Sequence, residues 1–239
     1  WGAAPHFHIE DMTYQEIRGV RREIESRRLR LVCFTPEQCV YPVNMASDNG
    51  DTRRRSRKFF ENSIRAAGEL GAGKVLVTSG TGYFDGSNRE EAWKWAADGL
   101  WSLGEMAADY GVTLALEVLR KDESNLVNDL PSLLEMLKEL DHPAIGGMID
   151  TIPMALAGER PCQYLEALGD RLVHIHFIDG APRGHLAWGD GVLDMQGYLS
   201  ELDAYPYKGY LSLEITDGRY FMDPSRSVEQ SVEKLFAVL

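Results

Sequence analysis

The residues of this chain that could do chemistry are three acids and a histidine, each closing a short apolar run. Glu117 ends TLALE, Asp150 ends GGMID, His176 closes VHIH and Glu214 ends LSLE. Three carboxylates and one imidazole brought to a single point repel one another unless a cation sits between them. Oxygen-rich ligation with one nitrogen suits Mn²⁺, Mg²⁺ or Co²⁺ better than a closed structural zinc site. A carboxylate ending an apolar strand is costly to bury without such compensation. Each acid alone has a simpler use as the N-cap of the next helix, and Asp150, followed by Thr-Ile-Pro, is the most cap-like. Glu117 and Glu214 are not residues that caps prefer. His174 lies two residues before His176 on the same strand face and reads as a hydrogen-bonded histidine of the interior.

The elements that must position these groups alternate along the chain. Strands are expected over 29–34 (LRLVCF), 74–78, 113–116, 145–149, 173–177 and 210–215. Helices are expected over 54–71, 88–110, 130–140 and 225–239, with another before residue 173. The first two of these helices end at or beside a glycine, and the third carries Pro131 in its first turn. Apolar strands alternating with helices imply a parallel sheet covered on both faces. Six strands and about seven helices are expected, with no linker. An open doubly wound sheet would carry a Gly-x-Gly-x-x-Gly turn after one strand, and none is present. A (β/α)₈ (TIM) barrel places functional residues at the C-terminal ends of its strands, as seen here. Such a barrel takes about 250 residues. The expectation is therefore one barrel domain over 1–239, with its first strand, first helix and most of its second strand upstream of Trp1.

Composition narrows the partners. Of 239 residues, 44% are hydrophobic and 26% charged, as in ordinary globular proteins. The net charge of −12 argues against nucleic acid as a partner. No run of about 18 apolar residues suggests a membrane span, and the N-terminus does not read as a signal peptide. Cys33, Cys39 and Cys162 are odd in number and share no close metal-type spacing. A reducing, cytoplasmic setting is the expectation.

The order Glu, Asp, His, Glu on successive strands resembles the xylose-isomerase-like sugar isomerases and epimerases, in particular the ketose 3-epimerases. Supporting segments are WGAAPH at the start, FTPEQCVYPVNM (34–45), LEVLRKDESNLV (116–127), MIDTIPMALAGERP (148–161), LGDRLVHIHFIDG (168–180) and GHLAWGDG (184–191). The resemblance implies one divalent metal, with Mn²⁺ first and Mg²⁺, Co²⁺ or Zn²⁺ as alternatives, held by Glu117, Asp150, His176 and Glu214. It implies inversion of C3 of a ketose, or of a ketose-amine conjugate of the fructoselysine kind, through a cis-enediolate. Glu117 and Glu214 would be the two bases, and Asp150 and His176 ligands only. Glu123, His185, Arg183, His6 and Tyr41 are the implied substrate contacts, with Glu123 alternatively a partner of Glu117; Asp179, three residues past His176, is expected either to support the metal ligands or to touch substrate. Where the family usually reads H-x-x-P-G-x-G, this chain has Trp188 at the proline, which is expected to reshape the pocket wall. Pro153 stands where some ketose epimerases carry a histidine. A homo-oligomer is also implied. The alternative within the fold is a sugar or polyol isomerase or dehydratase. The endonuclease branch would need more histidine ligands and a basic surface, against six histidines and a charge of −12.

Overall fold

The computed structural model describes residues 2, 7–38, 43–205 and 207–238. Local sequence signals set the helices. α1 (Tyr14–Ser26) starts in a capping box in which Thr13 and Glu16 satisfy each other's backbone N–H. α2 (Gly50–Leu70) starts at Asn49, whose side chain accepts from the Asp51 and Thr52 amides at 2.8 and 3.1 Å. It stops at Gly71, which has φ of +76°. After β1 (Lys74–Val77) comes α3 (Arg89–Asp109), then β2 (Thr113–Glu117) and α4 (Leu130–Leu140), the last opened by an Asp129–Ser132 capping box. β3 (Ile145–Asp150) runs directly into α5 (Thr151–Leu156), followed by α6 (Pro161–Leu168) and β4 (Leu172–His176). α7 (Met195–Ala204), β5 (Leu211–Ser212) and α8 (Pro224–Phe236) complete the order.

The five strands pair in parallel in sequence order, β1 through β5. Helices α1, α2, α3 and α4 neighbour one another in turn on the outside, and α4, α6 and α7 continue the series. This is the arc of a parallel α/β barrel. Alternation along each strand then decides the inside. Val75, Val77, Leu114, Leu116, Ile149 and Ile175 face the helices in the main core. Leu76, Ala115 and Met148 point inward and pack with Cys33 as a separate apolar plug. One pleat above that plug, the same inward face presents Glu117 on β2 and Asp150 on β3.

The ladder between β3 and β4 skips one residue: Gly147 pairs with Leu172, but Met148 pairs with His174. Val173 is thereby bulged out, which turns His174 and His176 inward. The bulge needs the glycine before it, because a Cβ on Gly146 would lie 2.4 Å from Val173 Cγ1 and 2.7 Å from the Arg171 carbonyl.

Two strand expectations are corrected. Of LRLVCF, only Phe34 meets the sheet, in an isolated parallel bridge to Val75, with Gly2 bridging Pro36 beyond it. Leu29 is 62% exposed and lies off the sheet, so its apolar character did not mark a strand. The expected strand over 210–215 shrinks to Leu211–Ser212. Among the described residues this segment is paired on one side only, so Glu214 follows the strand instead of lying within it.

Candidate metal and sugar site

The four groups converge at the C-terminal ends of the strands. Their ligand atoms all lie within 4.8 Å of one another. Glu117, Asp150 and His176 are buried, and the Glu214 side chain is only 11% exposed. His176 Nδ1 stands between two carboxylates, 3.3 Å from Glu117 Oε1 and 3.0 Å from Glu214 Oε2. Despite this closeness, Glu117 Oε1 and His176 Nδ1 are buried without a hydrogen-bond partner. Two close polar atoms aimed into one space without bonding each other fit a third body between them. Ligands about 2.1 Å from a divalent ion stand about 3 to 4.2 Å apart, so a small contraction of this cluster would close around one. The donor set of three carboxylates and one imidazole therefore fits a single divalent metal.

Asp150 resolves the choice between cap and ligand by serving as both. Its Oδ1 accepts from the Ile152 amide at 2.7 Å, capping α5, which leaves Oδ2 turned to the site. Next to it, the Thr151 hydroxyl donates to the Ile178 carbonyl at 2.7 Å and accepts from the Ile178 amide at 3.0 Å. The ends of β3 and β4, and hence Asp150 and His176, are clamped together by that exchange.

Without a metal, the imidazoles supply the positive charge. Burial opposes charging His176, but Glu214 and Glu117 outweigh it and hold its pKa well above the usual range. Burial likewise opposes charging His185, but its bond to Asp150 raises it to about 9. His185 Nε2 is 3.3 Å from Asp150 Oδ2, and its Nδ1 meets Thr216 Oγ1 at 3.0 Å. For Asp150, burial works upward, yet His185 wins and the carboxyl sits below its ordinary value. Glu117 goes the other way: burial, with Glu214 adding to it, raises its carboxyl to about 7. Burial and the charge of His176 keep the His174 ring neutral, at about 3. His174 is 1% exposed and packs edge-to-face on His176 at 5.4 Å, with neither ring nitrogen hydrogen-bonded. That differs from the bonded histidine expected.

The cluster floors a cavity of about 850 Å³, lined also by His174, His185 and Glu123. Glu123 is held by Arg120, accepting from its amide at 3.1 Å and its Nη2 at 2.6 Å. Arg183 is not among the lining residues; it reaches sideways to Asp122 at 2.7 Å. His6 and Tyr41 lie outside the described residues. The expectation for Trp188 is corrected: it is 1% exposed, stacks on Phe177 at 4.6 Å and donates from Nε1 to the Phe177 carbonyl. Its own amide donates to Ser231 on α8, so it ties that helix to the barrel and does not line the cavity. Asp179 also turns away from the cavity lining. It accepts from the amides of Gly180, Gly189, Gly191 and Leu193 and so folds the loop that carries His185. Sequence reasoning missed Cys33, Thr35, Arg120 and Asp217 on the cavity wall. Cys33, Thr35 and Arg120 lie within the segments LRLVCF, FTPEQCVYPVNM and LEVLRKDESNLV, whereas Asp217 lies outside all of them.

Residues 1–238 match the xylose isomerase-like TIM barrel family. The chain belongs to that family. Fructoselysine 3-epimerase of Shigella flexneri is 28% identical over 242 residues, covering 100% of this chain and 87% of that protein. A D-tagatose 3-epimerase-like protein of known structure is 25% identical with a TM-score of 0.79, over 95% of this chain and 84% of that one. The apo 3-keto-D-glucoside 4-epimerase from E. coli superposes with a TM-score of 0.79 at 22% identity, over 94% of this chain and 85% of its own, a likeness of fold. These relatives carry the names of isomerase-class enzymes, and the fold is that of the xylose isomerase-like TIM barrels.

Proposed function

We propose that the protein is a divalent-metal-dependent epimerase that inverts C3 of a ketose or of a ketose-amine conjugate. One observation carries the reading: Glu117 and Glu214 both reach His176 Nδ1, at 3.3 and 3.0 Å, and Asp150 completes a set whose ligand atoms lie within 4.8 Å of one another. Glu117, Asp150, His176 and Glu214 would hold the metal, for which we favour Mn²⁺ on ligand chemistry. Bound there, a divalent ion would polarise the ketose carbonyl and stabilise charge developing on its oxygens. One of the two glutamates removes the C3 proton and the other returns a proton to the opposite face of the planar enediolate. A carboxylate can do this while ligating, because it keeps a second oxygen for proton transfer. Asp150 has no such freedom, since its other oxygen caps α5. His185, anchored by Asp150 and Thr216, and Glu123, anchored by Arg120, are placed to orient hydroxyl groups in the cavity. Arg183 would act from the rim. The relationship to fructoselysine 3-epimerase supports the conjugate as substrate, and the free Cys33 and Cys162 support a cytoplasmic setting.

The test is a D₂O incubation of the Mn²⁺-loaded chain with fructose and with fructoselysine, followed by NMR. Deuterium at C3 together with the C3 epimer is the expected result. Exchange at C1 with an aldose product would make the enzyme an isomerase. Loss of water would make it a dehydratase.

A further inference from the structure

We propose that Thr151 is a positioning residue whose hydroxyl sets the separation of Asp150 and His176, and through it the affinity of the site for a divalent ion. This rests on the metal-dependent reading and adds to it a residue that acts through its neighbours. Thr151 is 1% exposed and is not among the residues that line the central cavity, so it meets neither ion nor sugar.

A ligand histidine is ordinarily aimed by a hydrogen bond on its second ring nitrogen. His176 is placed differently. Among the described residues, its ring meets two carboxylates through Nδ1 and the edge of the His174 ring. Two of these neighbours are ligands themselves, so the backbone must carry the aim. The ladder between β3 and β4 gives out at the site, where Asp150 opposite His176 is the last pair. On its other side it is interrupted by the bulge at Val173. A ladder this short, left to fray at its end, would let the two ligands splay apart.

The Thr151 hydroxyl supplies the next rung. It engages both the carbonyl and the amide of Ile178, at 2.7 and 3.0 Å, just past the end of β4. Between them, the Phe177 amide donates to the Ser212 carbonyl at 2.8 Å. The segment 176–178 is therefore held toward β3 by a side chain and toward β5, two residues before Glu214, by the backbone. It also has little room to shift, because a Cβ on Gly180 would lie 2.5 Å from Ile152 Cδ1. Branching at Cβ restricts χ1 of threonine, which keeps the hydroxyl in place. Valine would fill the same space but leave the Ile178 N–H and C=O without this partner, and the end of the ladder would open.

Calorimetry with Mn²⁺ compares the parent with Thr151→Val and Thr151→Ser, each checked for folding by circular dichroism. Valine should raise Kd about ten- to a hundredfold, the range for groups that hold a metal ligand in place. Serine keeps the hydroxyl and should stay within about threefold of the parent. Coupling is reciprocal, so Mn²⁺ should slow hydrogen exchange of the Ile178 amide in the parent by about the same factor. That readout needs no variant and stands even where Thr151→Val does not fold. A lower Tm for the valine variant with Kd unchanged would overturn the proposal. So would a serine variant as weak as the valine one, or Ile178 exchange indifferent to Mn²⁺. Failure of the parent to bind Mn²⁺ at all would sink the metal-dependent reading itself. Binding weakened by valine, with no C3 exchange by the parent, would uphold the role of Thr151 and sink the epimerase reading.

Discussion

Replacing Glu117 by Gln should stabilise the metal-free protein at alkaline pH while removing one of its two bases. The Glu117 carboxyl is raised from 4.5 to about 7, chiefly by burial. A folded-state pKa above the unfolded value means that the ionised form disfavours folding. The cost is small below the unfolded pKa and grows as pH climbs toward and through 7. At about 1.4 kcal/mol per unit, a shift of this size amounts to about 3 kcal/mol at pH 8 and about 1 kcal/mol at pH 5. Glutamine keeps the shape and carries no charge, so the variant escapes this cost. For a chain of this size, about 3 kcal/mol corresponds to a Tm higher by about 6 to 12 °C. Thermal unfolding of parent and variant in chelator, at pH 5 and pH 8, reads the effect. Saturating Mn²⁺ should then reverse the order, because the parent gains a ligand contact that the amide supplies poorly. A variant less stable than the parent at pH 8, or a gain that does not change with pH, would refute the claim that Glu117 is a strained buried charge awaiting a cation.

Other outcomes follow from the same geometry. Mn²⁺ binding to the metal-free chain at pH 7 should release about one to two protons, since His176 is held protonated, His185 titrates near 9 and ligation needs a neutral imidazole. Calorimetry in buffers of different ionisation enthalpy measures this, and affinity should rise with pH; uptake of protons would contradict it. Asp179→Ala removes the acceptor of four backbone amides and should cost about 3 to 5 kcal/mol in urea unfolding, a loss under 1 kcal/mol arguing against its loop-folding role. Trp188→Ala should cost about 3 to 5 kcal/mol and open α8 to proteolysis. Unchanged cleavage of the C-terminal segment would show that Trp188 does not tie that helix down.

The four strand-end groups were legible in the sequence because period-two alternation puts every second residue on one face, and each apolar run broke at a polar group in the same place. The helices announced themselves by Pro131 in the first turn of α4 and by the glycines that follow α2 and α3, whereas the caps at Asn49 and Asp129 are seen only in the structure. What stayed hidden depends on contacts between distant segments. The shared anchoring of His185 by Asp150 and Thr216 joins residues far apart in the chain, and no spacing predicts it. The bulge at Val173 has no mark beyond the paired Gly146 and Gly147, yet it orients both histidines. Trp188 was read as a pocket residue because its motif position lies next to the site, whereas an indole of that size is better buried with its N–H on a carbonyl. α1 went unread although Thr13 and Glu16 form a capping box, because only Ile17 of its residues is buried.

The most direct test of the central claim, that two carboxylates serve opposite faces of one carbon, is deuterium wash-in at C3 by Glu117→Gln and Glu214→Gln, each matched to the parent in metal content. Each variant should exchange the C3 proton of one epimer alone, the two variants choosing opposite epimers, with no interconversion by either. Interconversion surviving in either variant, or both variants exchanging the same epimer, would contradict it.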